Sequence, residues 1–197
     1  MTNKEFIKKI TNKFWFAPQH FDYKKKAKTR FELDTQSLKV CLLNHFIAMI
    51  KAAVHIGFKQ HHRLAFQSAF KYNMKQMLIG DYPDMSLDYS AMLISKGKLP
   101  GFDHPKLSLF TRGEGYLSWQ PNEGRNGTDR VYILLFNVTR DKVLHSAYAG
   151  ERSDRGVNFK LQKFEEKDEL HCWVFFDSPV DPDVSASNYI QDVTVWQ

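Results

Sequence analysis

The sequence predicts an α+β chain, an N-terminal helical hairpin followed by an antiparallel β-sandwich. Apolar residues recur at helical spacing between residues 35 and 77, whereas short β-branched and aromatic runs, separated by Gly, Pro, Asn and Asp clusters, follow from residue 82 onward. The charge changes sign at the same place. Residues 1–80 hold 15 Lys and Arg against 4 Asp and Glu, and residues 81–197 hold 13 against 18, which together make the formal net charge of +6. The expected division is therefore a basic helical region, 1–81, and a sandwich, 82–197.

Asp34 and Thr35 are N-cap types, and behind them Leu38, Cys41, Leu42, Phe46, Met49, Ile50, Ala53 and Val54 predict one helix over about 35–56. Gly57 is placed to end it. Val40, Leu43, Ile47 and Ile56 lie off that stripe, so the helix is expected to be sandwiched, buried on more than one side. After a polar turn holding His61 and His62, a second run places Phe66, Ala69, Phe70, Asn73, Met74 and Met77 on one face and stops at Gly80 and Pro83.

Strands are expected at "LDYSAMLIS", "PKLSLFT", "GYLSWQ", "RVYILLFNV", "VLHSAYAGE", "VNFKLQ", "LHCWVFFD" and "YIQDVTVW". "PNEGRNGTD" reads as a loop and "TRDK" as a hairpin turn. Trp119, Tyr132 and Trp173 are expected to share one core.

Residues from about 85 to 196 resemble an immunoglobulin-like or fibronectin type III (fibronectin-III-like) sandwich. Trp119 stands before Gln120-Pro121 as in an early core strand, Tyr132 falls in the next long strand, and "VSASNY" precedes the last one. Leu170 occupies the place of that family's corner tyrosine. A second resemblance covers most of the chain and rests on Gly57-Phe58, Asn73, Tyr82-Pro83, Asp88-Tyr89-Ser90 and the spacing of Ser95, Gly97 and Leu99. With the "GTDRVY" and "SASNYI" segments, these resemble an uncharacterised family of small Bacteroidota proteins, a domain of unknown function. The N-terminal "KEFIKKITNKFWFAPQHF" departs from the Gly-rich start of that family. The resemblance implies a layout and carries no activity.

Chemistry is sparse. Cys41 and Cys172 are the only cysteines, far apart, which excludes a disulfide framework and a cysteine zinc site. His55, His61 and His62 lack the i, i+4 spacing of helical metal ligands, and Asp177, Asp181 and Asp183 lie in a loop without the glycine and closing glutamate of a calcium-binding EF-hand. Gly113 and Gly115 precede no helix, and no G-x-S-x-G elbow occurs. The expectation is a non-enzymatic protein without cofactor or metal. "NGT" and "NVT" read as turn chemistry, because the lysine-scattered N-terminus has no continuous apolar stretch and predicts a cytoplasmic origin. "LKVCLLNHFIAMIKAAVHIGF" has a membrane-span length but carries Lys39, Asn44, His45, Lys51 and His55, so a buried helix is expected instead.

The remaining candidate is "FDYKKKAKTRF". Lys24, Lys25, Lys26, Lys28 and Arg30 supply positive charge, and Phe21 and Tyr23 supply rings beside it. The charge split favours docking on an acidic surface, either a protein partner or the acidic half of another copy, as in an assembled particle. The alternative partner is a nucleic acid, its phosphates neutralised by the lysines and a base stacked on Phe21 or Tyr23.

Overall fold

The computed structural model describes residues 30–75, 77–121, 127–191 and 193–197. Helix α1 (Arg30–Met49) and helix α2 (Lys51–Gly57) meet at 84°, so the single helix expected over 35–56 is two. Neither Pro nor Gly lies at the bend. The cause is tertiary: with Ile50 2% exposed at the corner, α2 turns to bring Ala53 and Val54 into the core that Leu43, Phe46 and Ile47 already enter. Asn44, Ala48 and Met49 face solvent while Val40, Cys41 and Leu42 are half-buried, so α1 is covered on one side and a flank rather than sandwiched. No single helix among the described residues is long and apolar enough to cross a membrane.

A 3-10 stretch (Lys59–Leu64) follows, with His61 and His62 exposed, and helix α3 (Ala65–Asn73) ends before Met77, which the periodicity had placed on its face. Strands β1 (Leu78–Ile79) and β2 (Ser86–Leu87) form a short antiparallel pair. Beyond Leu87 the expected strand "LDYSAMLIS" is a turn and an extended strap, because its polar groups bond to neighbours other than a sheet. Asp88 Oδ1 accepts the Ser90 N–H at 3.0 Å and hydroxyl at 2.6 Å, closing a turn.

The other strands are β3 (Asp103–Phe110), β4 (Glu114–Gln120), β5 (Arg130–Asn137), β6 (Lys142–Glu151), β7 (Gly156–Lys160), β8 (Leu170–Asp177), β9 (Asn188–Ile190) and β10 (Val193–Trp196). They form two four-stranded sheets, ordered β10-β3-β4-β7 and β6-β5-β8-β9. "TRDK" does close the β5–β6 hairpin, Asn137 Oδ1 accepting the Arg140 N–H at 2.9 Å and Asp141 taking φ 49°.

The all-antiparallel expectation fails at the C-terminal end. "YIQDVTVW" is divided between the sheets, β9 pairing antiparallel with β8 and β10 pairing parallel with β3. Strand alternation also divides the core. Val131, Ile133, Leu135, Cys172, Val174 and Phe176 meet Leu107, Leu109, Leu117 and Trp119 between the sheets, whereas Tyr132, Leu134, Phe136, Trp173 and Phe175 point the other way, to the helices. Trp119 thus lies in one core and Tyr132 and Trp173 in another. The β5–β8 sheet is the middle layer, covered on both faces.

The residues that carried the family resemblance build the strap joining helices to sheet. A side chain at Gly57 would collide with the Ile94 carbonyl, and one at Gly97 with the Val184 carbonyl. Ser95 Oγ donates to the Ser185 carbonyl at 2.6 Å, and the Leu99 N–H donates to the Val184 carbonyl at 3.1 Å. Buried Asn73 brackets Leu93, its amide N–H donating to the Leu93 carbonyl at 2.8 Å and its Oδ1 accepting the Leu93 N–H at 2.8 Å. Replacing Asn73 by Ala leaves both groups of Leu93 without that partner, a loss of about 1–3 kcal/mol per buried group left unmade. Urea unfolding of Asn73→Ala is expected to show this drop, with an unchanged slope; an unchanged midpoint would mean that the strap is held elsewhere.

Candidate functional site

Phe21, Tyr23, Lys24, Lys25, Lys26 and Lys28 lie outside the described residues, and the backbone of Arg30 opens α1. The first described turn leaves Phe31 60% exposed, its ring edge-on to Tyr82 at 5.4 Å. Beside it lies an open groove of about 450 Å³ lined by Phe31, Glu32, Thr35, Gln36, Lys39 and Met74.

The charges of the two halves are used differently. Lys51, Arg63, Lys71 and Lys75 stand exposed on the helical layer, and none of them forms an ion pair with a carboxylate among the described residues. In the β region many carboxylates are already engaged. Asp129, 4% exposed, accepts the Arg152 Nε–H at 3.0 Å, and the Arg152 guanidinium also donates to the Pro100 carbonyl at 2.9 Å while stacking 3.6 Å over Phe176. Arg140 holds Asp168 at 2.8 Å and Glu165 at 2.6 Å. His45 on α1 meets Asp141 in the β5–β6 turn at 2.7 Å.

Asp177, at the end of β8, is the centre of a further cluster. Its Oδ2 accepts the Tyr148 hydroxyl at 2.6 Å and Arg130 at 2.8 Å, and its Oδ1 lies 2.6 Å from Lys59 Nζ. That ammonium also donates to the carbonyls of Ser178, at 2.8 Å, and Asp181, at 3.0 Å. The oxygens that a calcium ion would need are thus gathered around a lysine. Asp183 turns instead to the Lys98 N–H at 3.1 Å, the Val184 N–H at 2.9 Å and the Gln60 amide. Lys59 was absent from the sequence reading, although a carboxylate closing the apolar run "LHCWVFFD" is itself a sign of a buried partner.

One arrangement has the order of a proton relay. His171 Nδ1 lies 2.7 Å from the Tyr189 hydroxyl and Nε2 lies 3.1 Å from Glu169, while Tyr89 packs against the imidazole at 4.5 Å between centroids. Burial, with Asp141 and Glu169 nearby, pushes the Tyr89 phenol up to about 12, and burial with the neighbouring Cys172 and carboxylates raises Tyr189 as well. Both phenols therefore keep their protons at neutral pH. Burial likewise raises the thiols of Cys41 and Cys172, which keeps them protonated and unreactive. Among the described residues no group of three His, Cys, Asp or Glu side chains converges as metal ligands.

A family model described as a family of unknown function (DUF6266) matches residues 21–191, which span the described helices and both four-stranded sheets up to β9. No curated protein matches the sequence. Among solved structures, the solution structure of the fn3 domain of human collagen alpha-1(XX) chain is similar at 14% identity and a TM-score of 0.38, covering 52% of this chain and 90% of that one.

Proposed function

The chain belongs to the DUF6266 family of unknown function, and we propose that it is a non-enzymatic interaction or assembly protein. In this reading β3 to β10 form an immunoglobulin- or fibronectin-III-like sandwich, the helices form a hairpin laid on one of its sheets, and docking runs through the basic half. The observation that carries the reading is the set of exposed bases on the helical layer. Among the described residues Lys51, Arg63, Lys71 and Lys75 are exposed without carboxylate partners, while Asp129, Asp141, Asp168 and Asp177 are bonded to bases of the chain itself. These four exposed bases present unneutralised positive charge on one layer, and the partner they fit is acidic.

Two quadruple charge reversals test this. K51E/R63E/K71E/K75E alters the helical face, and K24E/K25E/K26E/K28E alters the segment singled out in the sequence. Both sets are surface substitutions or lie outside the described fold, so the first is expected to leave stability within about 0.5 kcal/mol per site. Each variant is expected to lose the acidic protein that copurifies with the wild type from its native source, with retention that weakens as salt rises. A wild type that instead binds single-stranded oligonucleotides with a length-dependent salt slope, lost in the variants, would establish nucleic acid as the partner. Unchanged copurification in both variants would overturn the charge-docking reading.

A further inference from the structure

We propose that β10 is a self-association edge, which joins a second copy of this chain by antiparallel pairing with that copy's β10. The proposal deepens the assembly reading above by naming one partner, a second copy, and it uses a contact independent of the basic face.

An open sheet edge presents unpaired N–H and C=O groups, and folded proteins block such edges with charge, bulges or shortness. Among the described residues three of the four edges of the large sheets are blocked. The strap lies along the β9 edge, Ser187 N–H donating to the Ser95 carbonyl at 3.0 Å and Phe102 N–H to Asn188 Oδ1 at 3.1 Å, β6 has two register shifts against β5, and β7 turns Asn158 and Lys160 to solvent. β10, four residues long, has no strap over it, no register shift and no charge among the described residues. "VTVW" carries no charge, proline or glycine, and Val195 and Trp196 are 36% and 53% exposed.

The backbone of β10 is also set for a two-fold pairing. Its Trp196 carbonyl accepts the Thr111 N–H at 3.0 Å on the β3 side. Successive residues of a strand point their polar groups to opposite sides, so the N–H and C=O of Val195 face the open edge. Two copies related by a two-fold axis through Val195 would exchange both bonds between their Val195 residues. Thr194 of each copy then lies opposite Trp196 of the other on the outer face, an aromatic–β-branched pair of a kind that stabilises cross-strand contacts. Trp196 is already the β3 neighbour of Phe110, so the aromatic strip is continued rather than begun. The absence of charge on β10 removes the repulsion that identical strands would otherwise meet across a two-fold axis. The four residues of β10 with Gln197 on each side fall well short of the roughly 1,600 Å² of a standard interface, so the association is expected to be reversible, with a dissociation constant on the order of micromolar or weaker.

Val195→Pro tests this with little risk to the fold, since it removes an N–H aimed at the open edge, where proline is tolerated. Sedimentation over a concentration series is expected to show a monomer–dimer equilibrium for the wild-type chain that persists in 1 M salt, and at least a tenfold weaker one for Val195→Pro. Hydrogen exchange supplies a second readout that needs no variant: protection of the Val195 amide should rise with wild-type concentration. A wild type that stays monomeric, a dimer unchanged by Val195→Pro, or a Val195 amide whose protection ignores concentration overturns the proposal. Failure here leaves the acidic-partner reading intact, because K51E/R63E/K71E/K75E does not touch β10. A dimer that dissolves in salt would overturn the β10 pairing in favour of charge docking.

Discussion

Phe46→Ala is expected to lower the unfolding free energy by about 3–5 kcal/mol, the cost of removing a buried aromatic and leaving a cavity. Phe46 is 1% exposed on α1, edge-on to Phe136 of β5 at 5.0 Å and to Tyr89 of the strap at 5.3 Å, with Trp173 of β8 at 5.8 Å. One side chain therefore touches the helix layer, the strap and the middle sheet. Partial collapse is restricted, because Phe136 and Trp173 are held by a sheet packed on both faces. Equilibrium denaturation read by tryptophan emission and far-ultraviolet circular dichroism should show one transition at lower denaturant. If the loss were below about 0.5 kcal/mol, a surface-like value, the helices would not share a core with the sheet.

Asp129→Ala is expected to cost about 3–5 kcal/mol, because it breaks a buried ion pair, the Arg152 Nε–H to Asp129 Oδ2 contact at 3.0 Å. Arg152 and Asp129 side chains are 5% and 4% exposed, so the cation cannot easily swing into water. The guanidinium also touches the Pro100 carbonyl and the Phe176 ring, neither of which carries a full negative charge. Such pairs are often no more stabilising than apolar residues of similar shape, since both ions lose hydration on burial. The double variant Asp129→Leu, Arg152→Met is therefore expected to recover most of the loss. Thermal unfolding of Asp129→Leu, Arg152→Met and the double variant completes the cycle. A double variant as unstable as Asp129→Ala would show instead that the hydrogen bonds around Arg152, including that from Trp119 Nε1 to its carbonyl at 3.3 Å, depend on the ion pair for their geometry.

The candidate site was only partly legible. Free positive charge on the helical half can be counted from composition, and Lys51, Arg63, Lys71 and Lys75 do lie on its exposed face. Which carboxylates are left for a partner cannot be counted that way. Asp177 looks like one more acid of an acidic loop until Lys59, Arg130 and Tyr148 are seen to converge on it from three separate elements. The edge character of β10 was hidden for a similar reason, since an apolar strand reads the same in the middle of a sheet as at its margin.

By itself the sequence determined the α+β order, the strands from β3 to β8, the β5–β6 turn and the sign of charge on each half. These depend on local spacing, on turn residues and on composition, which need no partner to be defined. Only the tertiary structure decided that Trp119 faces one core while Tyr132 and Trp173 face another, that the first helix turns by 84° at Ile50, and that "YIQDVTVW" is shared between two sheets with β10 parallel to β3. Alternation says that neighbouring side chains point to opposite faces, but which layer covers each face is set by contacts made far along the chain. Helical spacing likewise marks an apolar stripe without its direction in space, and a bend is adopted when the surface it packs on returns more buried area than a straight helix would.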